Sequence, residues 1–264
     1  MSLLSQLRVV VFDMDGVLWT MEEPLPHAAE AVARCRHAGC AVCFLTNNSS
    51  QTRAAYVAKL GRFGIPANED EVVTSAYATA TILAAEKPGA TVVMIGEDGL
   101  RQELESAGLL IVPYREGDRV DYVVVGWDRG LTYDKLAQAH AAIVRGGARF
   151  VATNRDVTYP AEGGRTLPGG GSIVAAVEAS TGVTPRTIGK PEPHTLQWIL
   201  DTAKCPPDQC LVVGDRLDTD IALGRKLGTQ TALVLTGVST RAEAESAPLE
   251  RRPDYIWPDL SALV

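Results

Sequence analysis

The chain has 264 residues, 46% of them hydrophobic, with 25 Lys and Arg against 32 Asp and Glu for a net charge of −7. That length suffices for one large α/β unit or for a core plus a smaller domain. The acidic balance, without any broad basic stripe, argues against a nucleic-acid surface, and no apolar stretch approaches the roughly 18 residues of a membrane span.

Strands and helices alternate along the sequence. The pattern predicts a strand over 8–12, a helix from Pro26 to His37, a strand over 41–45 and a helix over 52–62, with Ser49 or Ser50 as its cap. A helix follows at 75–86, then strand 91–95, helix 98–107, an apolar run at 109–112 and strand 121–125. Helix 133–145, strand 149–152 and helix 172–181 come next. The final third reads as a short strand at 186–188, helix 194–203, strand 211–213, helix 219–227, strand 231–235 and a last strand at 254–257. Repeated β-α units of this length indicate a mostly parallel, doubly wound sheet. The N-terminus lacks a basic region followed by an apolar core, so no signal peptide is expected, and Met1-Ser2-Leu3 is given no structural role.

Chemistry concentrates where three apolar runs end. Val9-Val10-Val11-Phe12 reads as a strand covered on both faces and leads into Asp13-Met14-Asp15-Gly16. If extended geometry persists past its end, Asp13 and Asp15 share one pocket, and crowded carboxylates need a cation or a shared proton. One would serve as nucleophile, the other as proton donor. The alternative is a strand end followed by an Asp-Gly turn. Ala41 to Leu45 stops at Thr46-Asn47-Asn48-Ser49-Ser50, and Leu211-Val212-Val213 stops at Gly214-Asp215. Ligands of open α/β sheets bind beyond the carboxyl ends of parallel strands, so three such ends imply one composite site. Three acids with hydroxyl and amide donors describe an oxygen-liganded Mg²⁺ beside a phosphate, and Lys190 supplies a counter-charge.

These residues carry a resemblance. Asp13-Met14-Asp15-Gly16-Val17, Thr46-Asn47-Asn48, Lys190-Pro191 and Gly214-Asp215-Arg216-Leu217-Asp218-Thr219-Asp220 match, in order, the four motifs of the haloacid dehalogenase-like phosphatases. Val125-Gly126-Trp127-Asp128, Ala152-Thr153-Asn154-Arg155-Asp156 and Pro168-Gly169-Gly170-Gly171-Ser172 resemble its NagD-like branch, which includes p-nitrophenyl, phosphoglycolate and pyridoxal-phosphate phosphatases. The resemblance covers nearly the whole chain. It implies a Rossmann-like core over 1–76 and 187–264 with a large α/β cap inserted at 77–186, closing over the pocket to exclude water.

The same resemblance implies the roles. Asp13 attacks phosphorus and forms an aspartyl-phosphate. Asp15 protonates the leaving alcohol and later deprotonates water. Mg²⁺ is held by Asp13, by Asp15 through its main-chain carbonyl and by Asp215, while Thr46, Asn47, Asn48 and Lys190 hold phosphoryl oxygens. Asn154, Arg155 and Tyr159 fall in the stretch that is similar to the branch's substrate-facing cap loop. Some pyridoxal-phosphate phosphatases carry His at the position matching Tyr159, which leaves that substrate open. The implied activity is hydrolysis of small phosphorylated metabolites in the cytoplasm, with p-nitrophenyl phosphate as an artificial substrate. A homodimer is among the assemblies open to the chain. A sugar-phosphate mutase and a catalytically silent phosphate-binding module are the alternatives.

Other patterns have plainer readings. Of Asp218 and Asp220, one is expected to cap the helix near Thr219, while the other hydrogen-bonds Lys190 or a metal-bound water; their spacing does not suit an EF-hand. Cys35, Cys40 and Cys43 begin a ferredoxin-like spacing, yet fall on a helix and in a strand, as core cysteines do. Five unframed cysteines suit a reducing compartment. His27, His37, His140 and His194 match no zinc spacing. Gly169-Gly170-Gly171-Ser172 lacks the ending of a P-loop and reads as a tight turn at a helix start. Trp127 and Tyr133 are expected in the cap core.

Overall fold

The computed structural model describes residues 3–161 and 165–264; Met1 and Ser2 lie outside them. The chain divides into two compact units. The first comprises Met1–Thr46, Tyr56–Val73 and Lys190–Val264, and the second comprises Asn47–Ala55 and Thr74–Gly189. Main strands in chain order are β1 (Val9–Asp13), β2 (Ala41–Thr46), β3 (Val72–Thr74), β4 (Thr91–Ile95), β5 (Leu110–Ile111), β6 (Tyr122–Val125), β7 (Arg149–Ala152), β8 (Arg186–Thr187), β9 (Cys210–Gly214), β10 (Gln230–Val234) and β11 (Tyr255–Trp257).

The first unit is built on a six-stranded sheet in the order β11-β10-β9-β1-β2-β3. Strand β1 is buried along its whole length, as its Val-Val-Val-Phe run requires. It pairs in parallel with β9 on one side and β2 on the other, Phe12 lying opposite both Val213 and Phe44. The chain moves outward from β1 to β2 and β3, and from β9 to β10 and β11. The order therefore reverses between β1 and β9, and such a switch point opens a crevice at the strand carboxyl ends. Phe12, Phe44, Leu60, Leu211 and Val234 belong to one continuous buried cluster.

The second unit carries a five-stranded parallel sheet in the order β8-β7-β6-β4-β5. Its core gathers Ile95, Val123, Val125, Phe150 and Val174. Trp127 joins this core, donating through Nε1 to the Pro168 carbonyl (3.0 Å), but Tyr133 is 86% exposed and does not. At the start of an amphipathic helix (Tyr133–Val144), Tyr133 falls on the solvent face. The helix Gly170–Thr181 starts at the triple glycine, where a Cβ on Gly169 or Gly171 would run into the Asp156 or Arg155 carbonyl. Close backbone approach, not phosphate cradling, accounts for those glycines.

Several local expectations change. Thr52, not Ser49 or Ser50, caps the Arg53–Arg62 helix by accepting from the Ala55 amide at 3.2 Å. The serines turn inward: Ser49 Oγ accepts from the Trp127 amide, and Ser50 donates to Asn48 Oδ1. The sequence pattern also passed over β3, the small pairings Trp19–Thr20 with Glu23–Pro24 and Thr158–Ala161 with Arg165–Pro168, and a short helix at Arg241–Ser246. That helix has a full capping box of Thr240 and Glu243. Among the described residues, no helix is long and apolar enough to cross a membrane.

Candidate active site

In the first unit, β1 and β9 end side by side and deliver Asp13 and Asp215 at the switch point. Asp13, Asp215 and Asp220 each place one carboxylate oxygen within 4.8 Å of the others, and all three residues are buried. Lys190 lies among them. Its Nζ donates to Asp13 Oδ1 at 2.5 Å, to Asp220 Oδ1 at 2.6 Å and to the Leu45 carbonyl at 3.4 Å. Leu45 immediately precedes Thr46, the buried end of β2.

Glycines let these elements meet. Gly16 has φ +83°, and a Cβ there would stand 2.6 Å from Asp215 Oδ2. A Cβ on Gly237 would also fall on the Asp215 carboxylate, and one on Gly214 would fall on Asp220. Asp215 Oδ2 accepts from the Val238 amide at 2.8 Å, and Thr236 Oγ1 donates to the Gly16 carbonyl at 2.6 Å. The end of β10 is thus a fourth contributor, beyond the three strand ends expected from sequence. Its signal was the same as at the other three: an apolar run stopping at polar and glycine residues.

Winding of the Asp215–Asp220 segment separates two acids that the sequence left interchangeable. A π-helical turn spans Leu217–Ile221 before the α-helix Ala222–Leu227. Asp220 points inward to Lys190, and its Oδ2 accepts from the Arg216 amide at 3.1 Å. Asp218 is half exposed and pairs with the Arg216 guanidinium at 3.0 Å. Neither supplies the helix cap expected near Thr219: Arg216 stands at the cap position, without a side-chain cap bond.

Asp15 is placed differently from its neighbour. Extended geometry stops at Asp13, and the chain bends at Met14, whose carbonyl accepts from the Leu18 amide. The Asp15 carboxylate consequently lies outside the three-acid cluster and accepts from Trp19 Nε1 at 3.0 Å. Burial raises its pKa above the usual carboxylate value, against the pull of the Trp19 hydrogen bond. Burial also lifts Asp13 well above that range despite Lys190, with Asp220 and Asp215 adding to the rise. Asp215 is pushed up to about 7 by burial and then by Asp220. Burial opposes the charge on Lys190, but Asp13 and Asp220 outweigh it and hold the amine protonated.

The donor set fits a hard divalent cation. Three carboxylates converge with one lysine to offset them, and Asp215 Oδ1 is buried without a hydrogen-bond partner. An unsatisfied buried carboxylate oxygen is costly unless a cation takes it up.

The remaining sequence-flagged residues fall in the second unit. Asn47 Nδ2 donates to Asp156 Oδ1 at 3.1 Å, and the Asn47 carbonyl accepts from Ser75 Oγ and Asn154 Nδ2. Asn154 Oδ1 accepts from the Asp156 amide. Asn47, Asn154 and Asp156 therefore form one polar knot. Arg155 pairs with Glu178 at 2.5 Å, and the Tyr159 ring packs 4.3 Å from Trp127 between centroids. The cysteines are free, and burial pushes the Cys35 and Cys43 thiols up to about 12.

A family model described as haloacid dehalogenase-like hydrolase matches residues 10–110, and a second, HAD-hydrolase-like, matches 187–263. The chain belongs to the haloacid dehalogenase-like hydrolases. Within that family, relatives named as phosphatases match nearly the whole chain. An acid sugar phosphatase of Staphylococcus saprophyticus is 39% identical over 99% of this chain and 98% of its own. A p-nitrophenyl phosphatase from Archaeoglobus fulgidus superposes with a TM-score of 0.88 at 38% identity, over 96% of both chains. A glycerol phosphate phosphatase from Mycobacterium tuberculosis, solved in complex with magnesium, gives 0.91 at 38% identity over 100% of this chain and 78% of its own. This haloacid dehalogenase-like hydrolase is, with them, a phosphomonoesterase.

Proposed function

We propose that the chain is a Mg²⁺-dependent phosphatase of small phosphorylated metabolites that works through an aspartyl-phosphate on Asp13. The observation that carries this reading is the convergence of Asp13, Asp215 and Asp220 around Lys190 at the carboxyl edge of the sheet. Asp13, the Asp15 main-chain carbonyl and Asp215 would hold Mg²⁺, with Asp220 in support through Lys190. The ion supplies charge neutralisation for the phosphoryl oxygens.

The chain's own residues account for the two displacements. An Asp13 carboxylate oxygen attacks phosphorus as the ester P–O bond breaks, and Asp15 passes its proton to the departing alkoxide. Asp15, now ionised, takes a proton from water as that water attacks phosphorus, which frees inorganic phosphate and restores Asp13. Lys190 and Thr46 offset charge on the phosphoryl oxygens, a role the motif pattern extends to Asn47 and Asn48. Asn154, Arg155 and Tyr159 are assigned to selection of the alcohol.

The names of the relatives favour sugar phosphates and glycerol phosphate as the substrate class. Free cysteines, four of the five buried, support a cytoplasmic location. Release of inorganic phosphate from p-nitrophenyl phosphate and glycerol phosphate with Mg²⁺, and its loss with EDTA, tests the reading. Isomerised sugar phosphate without phosphate release would point instead to a mutase.

A further inference from the structure

We infer that Trp19 is the positioning residue that aims the Asp15 carboxyl at the leaving group, and that Lys59 holds Trp19 in place. The inference rests on the assignment of Asp15 as proton donor. Trp19 is fully buried, yet its one polar group is put to use, since Nε1–H donates to Asp15 Oδ1 at 3.0 Å. The backbone reinforces the pairing. Asp15 and Trp19 form an isolated bridge, and the Gly16 amide donates to the Trp19 carbonyl at 2.7 Å. One turn therefore carries both the carboxyl and its donor.

The indole cannot swing away, because two side chains of the Arg53–Arg62 helix and Phe63 just past its end enclose it. Tyr56 stacks at 6.4 Å with a 14° interplanar angle, and Phe63 packs at 5.7 Å. Between them Lys59 sets its Nζ 4.8 Å from the Trp19 ring centroid. Lys59 is itself buried and fixed, donating to the Met21 carbonyl at 2.5 Å and to Glu22 at 3.1 Å. A buried ammonium spent on the chain just beyond Trp19 and on the face of its ring pins the segment to the helix. A phenyl ring at position 19 would keep the packing and lose only the donor.

The test exploits leaving groups. p-Nitrophenolate departs without a proton, whereas an alkoxide requires one, and kcat/KM reads the steps through the first bond cleavage. Positioned proton transfer is worth about 10²–10⁴-fold, so partial loss of aim in Trp19→Phe should lower kcat/KM for glycerol phosphate by about tenfold or more. The same variant should cost less than about threefold with p-nitrophenyl phosphate. Asp15→Asn, run in parallel, should show the same skew more strongly. A folded Trp19→Phe that loses both substrates equally would overturn the inference while leaving the phosphatase reading intact. Wild-type protein inactive on both would instead sink the phosphatase reading itself. If Trp19→Phe does not fold, Lys59→Gln carries the test, because it keeps the indole and removes its anchor. A smaller skew in the same direction supports the inference, and an unchanged ratio overturns it.

Discussion

Lys190 stands between two buried carboxylates, 2.5 Å from Asp13 and 2.6 Å from Asp220. Removing one member of a buried ion cluster leaves the others facing each other without compensation, at a typical cost of about 3–5 kcal/mol. Lys190→Met should therefore lower stability on that scale in denaturant titration and weaken inhibition by inorganic phosphate. Retained phosphate affinity would remove Lys190 from the site. At this scale Asp13, Lys190 and Asp215 were legible because each follows a strand or opens a loop with a recognisable motif. Asp218 and Asp220 were not separable, since a π-helical turn decides which one faces inward. Trp19 was invisible as a functional residue: a tryptophan beyond an Asp-Gly step reads as packing until its donor is seen on Asp15.

The elements matter through the closeness of their ends. Gly16 and Gly237 let two loops press against Asp215, and Gly16 does so at positive φ. Gly16→Ala adds left-handed strain of about 1–2 kcal/mol and a methyl that displaces the Asp215 carboxylate. It should lose most activity and more stability than the strain alone predicts, measured by phosphate release and by thermal unfolding. Near-wild-type turnover would show that the approach to Asp215 is not required. Long apolar strands such as β1 and β9 were readable from sequence, and their parallel order followed. Two- and three-residue strands such as β3 carry too few residues for a period to emerge. The Arg241–Ser246 helix was a different kind of miss. Its Thr240-x-x-Glu243 box was present but was not followed by an apolar run.

For the whole molecule, burial of acids ties stability to pH and to metal. Asp215 rises from 3.8 to about 7 on folding. Between those values the folded, metal-free protein keeps a proton that the unfolded chain has released. Its contribution is full below 3.8 and is lost as pH climbs through about 7. A divalent cation displaces that proton, so stabilisation by Mg²⁺ should grow across the same window and level off above it. Thermal midpoints with Mg²⁺ and with EDTA across that range check this, and a pH-independent difference would contradict it. Division of the chain into units was only partly open to sequence. The β-α rhythm indicated one doubly wound sheet and the resemblance an inserted cap at 77–186, but residues 47–55 group with the second unit, where they bond to Ser75, Asn154 and Trp127, partners remote in the chain.

The most direct measurement is to acid-quench the protein during turnover of p-nitrophenyl phosphate with Mg²⁺, reduce it with borohydride and sequence its peptides by mass spectrometry. An acyl phosphate on Asp13 is reduced to homoserine at that position, in a substrate-dependent manner and absent from Asp13→Asn. Homoserine at another acid, or turnover with no reducible phosphoenzyme, would contradict Asp13 as the group that accepts the phosphoryl.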